Sequence, residues 1–220
     1  MIKLAIFDLD NTLLNGDSDV AWGEYLIELG VRDDQVYRQT NLKFYQDYLD
    51  GCLDIRAFQR FQLKVLTEHS LETLLKWRAD FIDKKIAPLM LPKAQALIEE
   101  HRQNNAHLLI ITATNRFITQ PIADKFGIKE LIATEPEMKE SCYTGDIVGE
   151  PSYAQGKVLR LERWLKERNW ALEKIETWFY SDSHNDLPLL RKVNHPVAVD
   201  ADETLRAEAH KHHWSIISLR

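Results

Sequence analysis

Two carboxylates, Asp8 and Asp10, close the short apolar run Leu4-Ala5-Ile6-Phe7. The run reads as a buried strand, and Asn11-Thr12 ends it in a turn. In a continuing strand the two acids would share a face. At a strand end running into a turn they can crowd one point at the sheet's carboxyl edge. Carboxylates held that close repel, burial worsens the repulsion, and a divalent cation or a shared proton relieves it. The same residues also suit a plain strand terminator, since Asp and Asn favour turns. Partners at the ends of later strands decide between these readings.

Such partners follow. Leu108-Leu109-Ile110-Ile111 runs into Thr112, Lys157 opens an amphipathic helix, and Thr177 to Tyr180 runs into Ser181-Asp182 with Asp186 just beyond. Each has a plainer reading when taken singly. Thr112 suits a turn cap, Lys157 a solvated helix position, and Asp186 the N-cap of a helix entered through Pro188. Their joint order along the chain argues for one site. His184 beside Asn185 needs no special role, and the His210-Lys211-His212-His213 cluster reads as a solvated terminal segment rather than a metal site.

The elements that position these groups alternate. Strands are expected over His107–Thr112, Ile128–Thr134, Thr177–Tyr180 and Val197–Val199, with a small hairpin around Thr144-Gly145 within Cys142–Ile147. Helices are expected over Lys93–Gln103, over Phe117–Phe126 with Gly127 as its stop, and over Lys157–Arg168. Pro88 and Pro92 punctuate a turn. Alternation of this kind predicts an α/β fold, a doubly wound, mainly parallel sheet whose ligand binds beyond the carboxyl ends of its strands. Between the first strand and Lys85 no strand is evident. Helical spacing instead links Trp22, Leu26 and Leu29, then Phe58, Phe61 and Val65, then Leu74, Trp77 and Phe81, with Ser70 and Thr73 marking an N-cap. We therefore expect a catalytic core from residues 1–16 and 86–220, and an all-helical cap from residues 17–85, inserted after the first strand.

The chain's 220 residues, 45% of them hydrophobic and six of them Trp, suffice for a real core. A formal charge of −6 argues against nucleic-acid binding, which favours basic patches, though it leaves room for an anionic substrate in a locally positive site. Cys52 and Cys142 form no CxxC pair and read as reduced thiols. No apolar run approaches the length of a membrane span, and the N-terminus lacks a secretory apolar region, so a soluble cytoplasmic protein without stable membrane association is expected.

Phe7-Asp8-Leu9-Asp10-Asn11-Thr12, Ile111-Thr112-Ala113-Thr114-Asn115, Gly156-Lys157-Val158 and Ser181-Asp182-Ser183-His184-Asn185-Asp186 resemble the four motifs of the haloacid-dehalogenase-like hydrolases. The likeness spans essentially the whole chain; the first and last motifs are specific, whereas the Thr and Lys motifs are weak outside that context. The helical insertion is similar to the cap of the phosphoserine-phosphatase-like branch. Tyr45 to Asp54 further resembles a bacterial subgroup in which histidinol-phosphate phosphatases occur. The resemblance implies a Rossmann-like core and a role for each residue. Asp8 would be the nucleophile that forms an aspartyl-phosphate, and Asp10 the acid that protonates the leaving alkoxide and later the base for water. Thr112, Ala113 and Lys157 would hold the phosphate. Asp8, the Asp10 carbonyl and Asp182 would bind Mg²⁺, with Asp186 supporting that shell.

Charge arithmetic fits these roles. A carboxylate about 3.5 Å from a phosphate dianion is repelled by roughly 9 kcal/mol at an effective dielectric of about 20. Mg²⁺ and Lys157 together supply the three positive charges that offset nucleophile and phosphate. Asp10 also favours a phosphate ester over an organohalide, because a departing halide needs no acid. The implied activity is a phosphomonoesterase acting on a small phosphorylated metabolite. Phosphotransferase and phosphoacceptor signalling domain stand as alternatives. A lipid phosphate fits less well, since no membrane-binding segment is evident. Substrate choice falls to the cap, where Asp47, Asp50 and Asp54 suit either an ammonium contact or a solvated surface. Arg116 suits either a phosphate or carboxylate contact or a surface helix. An amine-bearing ester is favoured, histidinol phosphate slightly over phosphoserine.

Overall fold

The computed structural model describes residues 1–220. Strand β1 (Lys3–Phe7) lies at the centre of the sheet, and Leu4, Ala5, Ile6 and Phe7 are wholly buried. A strand covered on both faces needs no polar alternation, which is why the run is apolar throughout. Its side chains still alternate. Ala5 and Phe7 enter one hydrophobic cluster, while Leu4 and Ile6 enter the other.

Five further strands run parallel or antiparallel alongside: β2 (His107–Asn115), β3 (Glu130–Lys139), β4 (Cys142–Val148), β5 (Glu176–Ser181) and β6 (His195–Val199). With the short β7 (Ser215–Ile217) they form a seven-stranded sheet in the order β4-β3-β2-β1-β5-β6-β7. Only β4 runs antiparallel to its neighbour. The chain leaves β1 toward β2 and later returns to its other side at β5, so the reversal of strand order lies at the carboxyl end of β1. Phe7 pairs with both Ile110 and Tyr180, which brings Asp8, Thr112 within β2 and Asp182 to one edge.

Helices cover both faces. The side of Phe7 carries α1 (Ser18–Glu28), α4 (Leu71–Phe81), α5 (Pro92–Gln103) and α6 (Arg116–Lys125). The side of Ile6 carries α7 (Gln155–Glu167), α8 (Leu187–Leu190) and α9 (Glu203–His212). Between α1 and α4 come α2 (Asp34–Leu49) and α3 (Ile55–Thr67), so the insertion after β1 is all-helical. Trp22, Tyr25, Leu74 and Phe81 of this insertion share one hydrophobic cluster with Phe7, Ile110 and Phe117. One polar tie between insertion and sheet follows from a proline. Pro121 inside α6 has no N–H for the carbonyl four residues back, and that Phe117 carbonyl accepts instead from Arg78 of α4 at 2.9 Å.

Three local expectations differ from the structure. The hairpin joins β3 to β4 and turns at Glu140-Ser141, both in the left-handed region, rather than at Thr144-Gly145. Gly145, at φ +84°, instead sits within β4 where its register against β3 shifts, so the glycine marks a bulge. Leu29 is the C-cap of α1 and is 43% exposed, because the helix has ended where the periodicity suggested a further buried turn. Phe58 is only half-buried and borders a cavity rather than filling the core. No helix is long and apolar enough to cross a membrane.

Candidate active site

Asp8 follows β1 directly and is 7% exposed. Its amide donates to the Tyr180 carbonyl at 2.9 Å, continuing the sheet for one residue, while its Oδ1 accepts from Lys157 Nζ at 2.8 Å. Lys157 also reaches Asp186 Oδ2 at 2.7 Å and is 3% exposed. The approach to Lys157 is tightly specified. Ala154 holds φ +47°, and a Cβ at Gly156 would lie 2.1 Å from the Pro151 carbonyl oxygen, so only glycine fits there. Asp186 N-caps no helix with its side chain; its Oδ2 accepts from Ser181 Oγ at 2.7 Å as well as from Lys157.

Asp182 is fixed by Thr12. The Thr12 hydroxyl donates to Asp182 Oδ1 at 3.2 Å and accepts from the Asp182 amide at 3.1 Å. Asp10 turns its carboxylate elsewhere. Oδ1 accepts from the Ser18 amide at 2.7 Å, and Oδ2 accepts from Thr114 Oγ1 at 2.8 Å and Thr112 Oγ1 at 3.4 Å. The crowding of Asp8 and Asp10 is thus resolved by direction. One acid faces Lys157, and the other faces the base of the insertion. The Ala113 carbonyl accepts from Gln59 Nε2 of α3 at 3.1 Å and from Thr134 Oγ1 at 2.7 Å.

Asp8, Asp10, Thr112, Lys157, Asp182 and Asp186 line a cavity with about 130 Å³ open to the centres of water molecules. Its roof is the α2–α3 part of the insertion, contributing Asn41, Phe44, Tyr45, Tyr48, Leu53 and Phe58. Lys157 is the only cationic side chain in its wall, against six carboxylates: Asp8, Asp10, Asp17, Asp19, Asp182 and Asp186. Burial, reinforced by Asp186 and Asp10 and opposed by Lys157, raises the Asp8 carboxyl to about 7. Burial and then Asp17 raise Asp10 to about 6, against the hydrogen bonds from Ser18 and Thr114. Burial, with Asp8 and Asp186, holds Asp182 well above the ordinary carboxylate range. For Lys157 burial disfavours the ammonium, yet Asp186 and Asp8 outweigh it and the group is raised further. A site so rich in negative charge fits an added hard cation. Carboxylate oxygens and a backbone carbonyl are the donors that Mg²⁺ takes, usually one or two carboxylates with water completing the shell.

The sequence model of the haloacid dehalogenase-like hydrolases matches residues 5–191, which hold Asp8, Asp10, Thr112, Lys157, Asp182 and Asp186. The chain belongs to that family. A histidinol-phosphatase from Neisseria meningitidis is 44% identical over 222 residues, covering 100% of both chains. A phosphoserine phosphatase from Mycobacterium tuberculosis is 28% identical over 219 residues, covering 98% of this chain and 70% of the relative. Among solved structures, a protein of unknown function from Bordetella pertussis superposes with a TM-score of 0.94 at 38% identity, again over 100% of both chains.

Two candidate residues lie apart from this hydrolase's cavity wall. Arg116 opens α6 but points along the sheet, giving Nε to both Glu135 oxygens at 2.8 and 2.9 Å and Nη2 to the Leu131 carbonyl at 2.8 Å. Asp47 sits on α2 but off the Asn41-Phe44-Tyr45-Tyr48 face that lines the cavity. Conversely, Thr12, Thr114 and Asn185 stand in the quoted motifs and Tyr48 in the Tyr45–Asp54 stretch without a role assigned from sequence, and Asp17, Asp19 and Tyr153 were not candidates. The Asp17-Ser18-Asp19 run that opens α1 carried a signal, since Asp17 N-caps that helix by accepting from the Val20 amide at 2.9 Å. His184 pairs with Asp202 at 2.8 Å, and Cys52 and Cys142 are exposed free thiols.

Proposed function

We propose that this chain is a Mg²⁺-dependent phosphomonoesterase that works through an aspartyl-phosphate on Asp8, with a core of residues 1–16 and 86–220 under a cap of residues 17–85. The observation that carries the reading is the division of labour between the two acids of the first motif. Lys157 holds Asp8 beside Asp186, while Ser18 and Thr114 hold Asp10 apart from them. In the first half-reaction an Asp8 oxygen bonds to phosphorus as the ester P–O bond breaks, and Asp10 gives its proton to the departing alkoxide. In the second, Asp10 takes a proton from water as that water's oxygen bonds to phosphorus and the acyl phosphate P–O bond breaks. Lys157 stays in place through both steps and offsets charge on the phosphoryl oxygens, helped by the Thr112 hydroxyl and the backbone at Ala113. Asp8, the Asp10 carbonyl and Asp182 would hold Mg²⁺, with Asp186 supporting them, and the bound ion would neutralise the nucleophile and polarise the phosphoryl group.

The substrate we favour is a small amine-bearing phosphomonoester, histidinol phosphate ahead of phosphoserine. The 44% identical Neisseria histidinol-phosphatase supports this. So does the wall of the cavity, where Asp17, Asp19, Phe44, Tyr45, Tyr48 and Phe58 suit a flat cationic group. A substrate carboxylate would find no arginine and no second lysine there. The test is multiple-turnover phosphate release across histidinol phosphate, phosphoserine, sugar phosphates and p-nitrophenyl phosphate, with Mg²⁺ and with chelator. We expect Mg²⁺-dependent turnover that is fastest on histidinol phosphate. Stoichiometric phosphorylation without turnover would defeat the enzyme reading, and a preference for sugar phosphates would defeat the amine reading.

A further inference from the structure

Helix α2 roofs the cavity, yet it is poorly anchored by packing. Tyr37 is its only buried side chain, and Val36, Leu42, Tyr45 and Leu49 are all exposed. Its C-terminal turn is instead held by polar contacts that converge on one residue. Tyr48 Oη donates to Ser183 Oγ at 2.6 Å, and the Tyr48 carbonyl accepts from Asn185 Nδ2 at 3.4 Å. Asn185 is steadied in turn by Tyr153, whose hydroxyl donates to Asn185 Oδ1 at 2.9 Å. The turn that follows α2 passes against the same loop, with a Cβ at Gly51 falling 3.9 Å from His184 Nε2.

Ser183 and Asn185 stand between Asp182 and Asp186 in sequence, so a grip on them is a grip on the two acids. Ser183 Oγ also accepts from the Asn185 amide at 3.2 Å, and the Ser183 amide donates to Ser181 Oγ at 3.2 Å. Ser181 Oγ in turn donates to Asp186 Oδ2 at 2.7 Å. A continuous set of hydrogen bonds therefore runs from the cap, through Tyr48, Ser183 and Ser181, to Asp186 and Lys157. Such networks have few alternative arrangements once every member is paired.

We propose that Tyr48 is a positioning residue that orients the Asp182–Asp186 loop from the cap side, so that the affinity for Mg²⁺ depends on a hydrogen bond made by the cap. The proposal rests on the assignment of Asp182 and Asp186 to the metal site. Its thermodynamic consequence is reciprocal: whatever strengthens the Tyr48–Ser183 bond tightens Mg²⁺, and Mg²⁺ strengthens that bond by the same factor. Substrate enclosure and completion of the metal site then become one event rather than two.

The test is calorimetric titration of Mg²⁺ into the full chain and its Tyr48→Phe, Ser183→Ala, Tyr48→Phe/Ser183→Ala and Arg56→Ala variants. Tyr48→Phe keeps the ring in the wall and removes only the hydroxyl. We expect it to weaken Mg²⁺ by roughly 3- to 10-fold, the worth of one hydrogen bond. Ser183→Ala should weaken it to a similar extent, and the double variant should be no worse than the weaker single one. Arg56→Ala removes a different cap–core bond, to the Gly149 carbonyl at 2.9 Å, and should bind Mg²⁺ like the parent. Amide exchange of residues 182–186, measured without metal, should be faster in Tyr48→Phe. Parental Mg²⁺ affinity in Tyr48→Phe, multiplying effects in the double variant, or an equal loss in Arg56→Ala would overturn the proposal. Absence of phosphatase activity in the parent would instead defeat the proposed function, and metal-free exchange would still read the Tyr48 contact.

Discussion

Asp8→Asn should abolish turnover and, in the absence of metal, make the protein more stable. Burial, with Asp186 and Asp10, raises Asp8 from an ordinary 3.8 to about 7 even though Lys157 lies against it. The unfolded chain therefore releases this proton at lower pH than the folded one. Between those two values the folded state binds more protons, so stability falls as pH rises. The penalty is absent below the unfolded value and complete above the folded one, where it reaches on the order of 4 kcal/mol. Asparagine keeps an oxygen facing Lys157 and carries no charge. For a chain of this length about 1 kcal/mol moves the melting temperature by roughly 2–4 °C, so the variant in chelator at about pH 8 should melt roughly 8–16 °C higher than the parent. Near pH 4 the two should melt alike. Mg²⁺ should close the gap, since a ligand at a thousandfold excess over its Kd stabilises by about 4 kcal/mol and the variant has lost a ligand oxygen's charge. Thermal unfolding across pH, with chelator and with Mg²⁺, makes the measurement. Equal melting at about pH 8 in chelator, or a difference that ignores pH, would refute the reasoning.

Asp10→Asn should lower kcat on an alkyl phosphate by about 10²- to 10⁴-fold. The first-turnover burst from p-nitrophenyl phosphate should fall much less, since that leaving group departs without a proton, whereas steady-state turnover should fall on both substrates because Asp10 is also the base for water; burst against steady state gives the readout. Lys157→Met strands the buried carboxylates of Asp8 and Asp186, so besides losing activity it should destabilise the metal-free protein by about 3–5 kcal/mol in denaturant unfolding. That loss should shrink as the pH is lowered and the acids take up protons. Asp17→Asn preserves an N-cap oxygen for α1 but removes a charge from the cavity, and should raise KM about tenfold for an amine-bearing ester while leaving a neutral alkyl phosphate unchanged.

The frame of the fold was legible because its signals are local. Leu4 to Phe7 is apolar throughout since both faces of β1 are covered, and the acids after it stand at the carboxyl edge shared by β1 and β5, beside the last third of β2. What escaped notice was set by contacts across the chain. Glu140-Ser141 carries the hairpin turn with neither glycine nor asparagine, so Gly145 drew the turn to itself. Phe58 has the spacing of a core residue and faces the cavity, because helical periodicity marks a face without saying what lies opposite. Arg116 stands four residues after Thr112, yet Glu135 on β3 offers it a two-oxygen partner that no local pattern announces. Asp19 carries no local sign of burial and is 2% exposed, its oxygens taken by Thr114 and Asn115 more than ninety residues away.

The distribution of charge in the cavity bears on which ester enters. Asp8, Asp182 and Asp186 gather around Lys157, and the residues suited to Mg²⁺ lie on that same side. The incoming phosphoryl group adds up to two negative charges there, which the ion and the lysine offset. Asp10, Asp17 and Asp19 form a second group, in which Thr114 Oγ1 donates to both Asp10 and Asp19 and the charge of Asp17 acts on Asp10, and the cavity wall places no lysine or arginine beside it. In the proposed mechanism Asp10 lowers its own cost by carrying the proton that the leaving group needs. Asp17 and Asp19 are given no such task by the chemistry, and burial raises both carboxyls above their ordinary range. A leaving group that brings its own cation relieves exactly that strain, whereas one bearing a carboxylate adds to it. The imbalance supports the proposal of histidinol phosphate over phosphoserine, because the cavity wall offers a substrate carboxylate no cation on the side where the alcohol, not the phosphate, must sit.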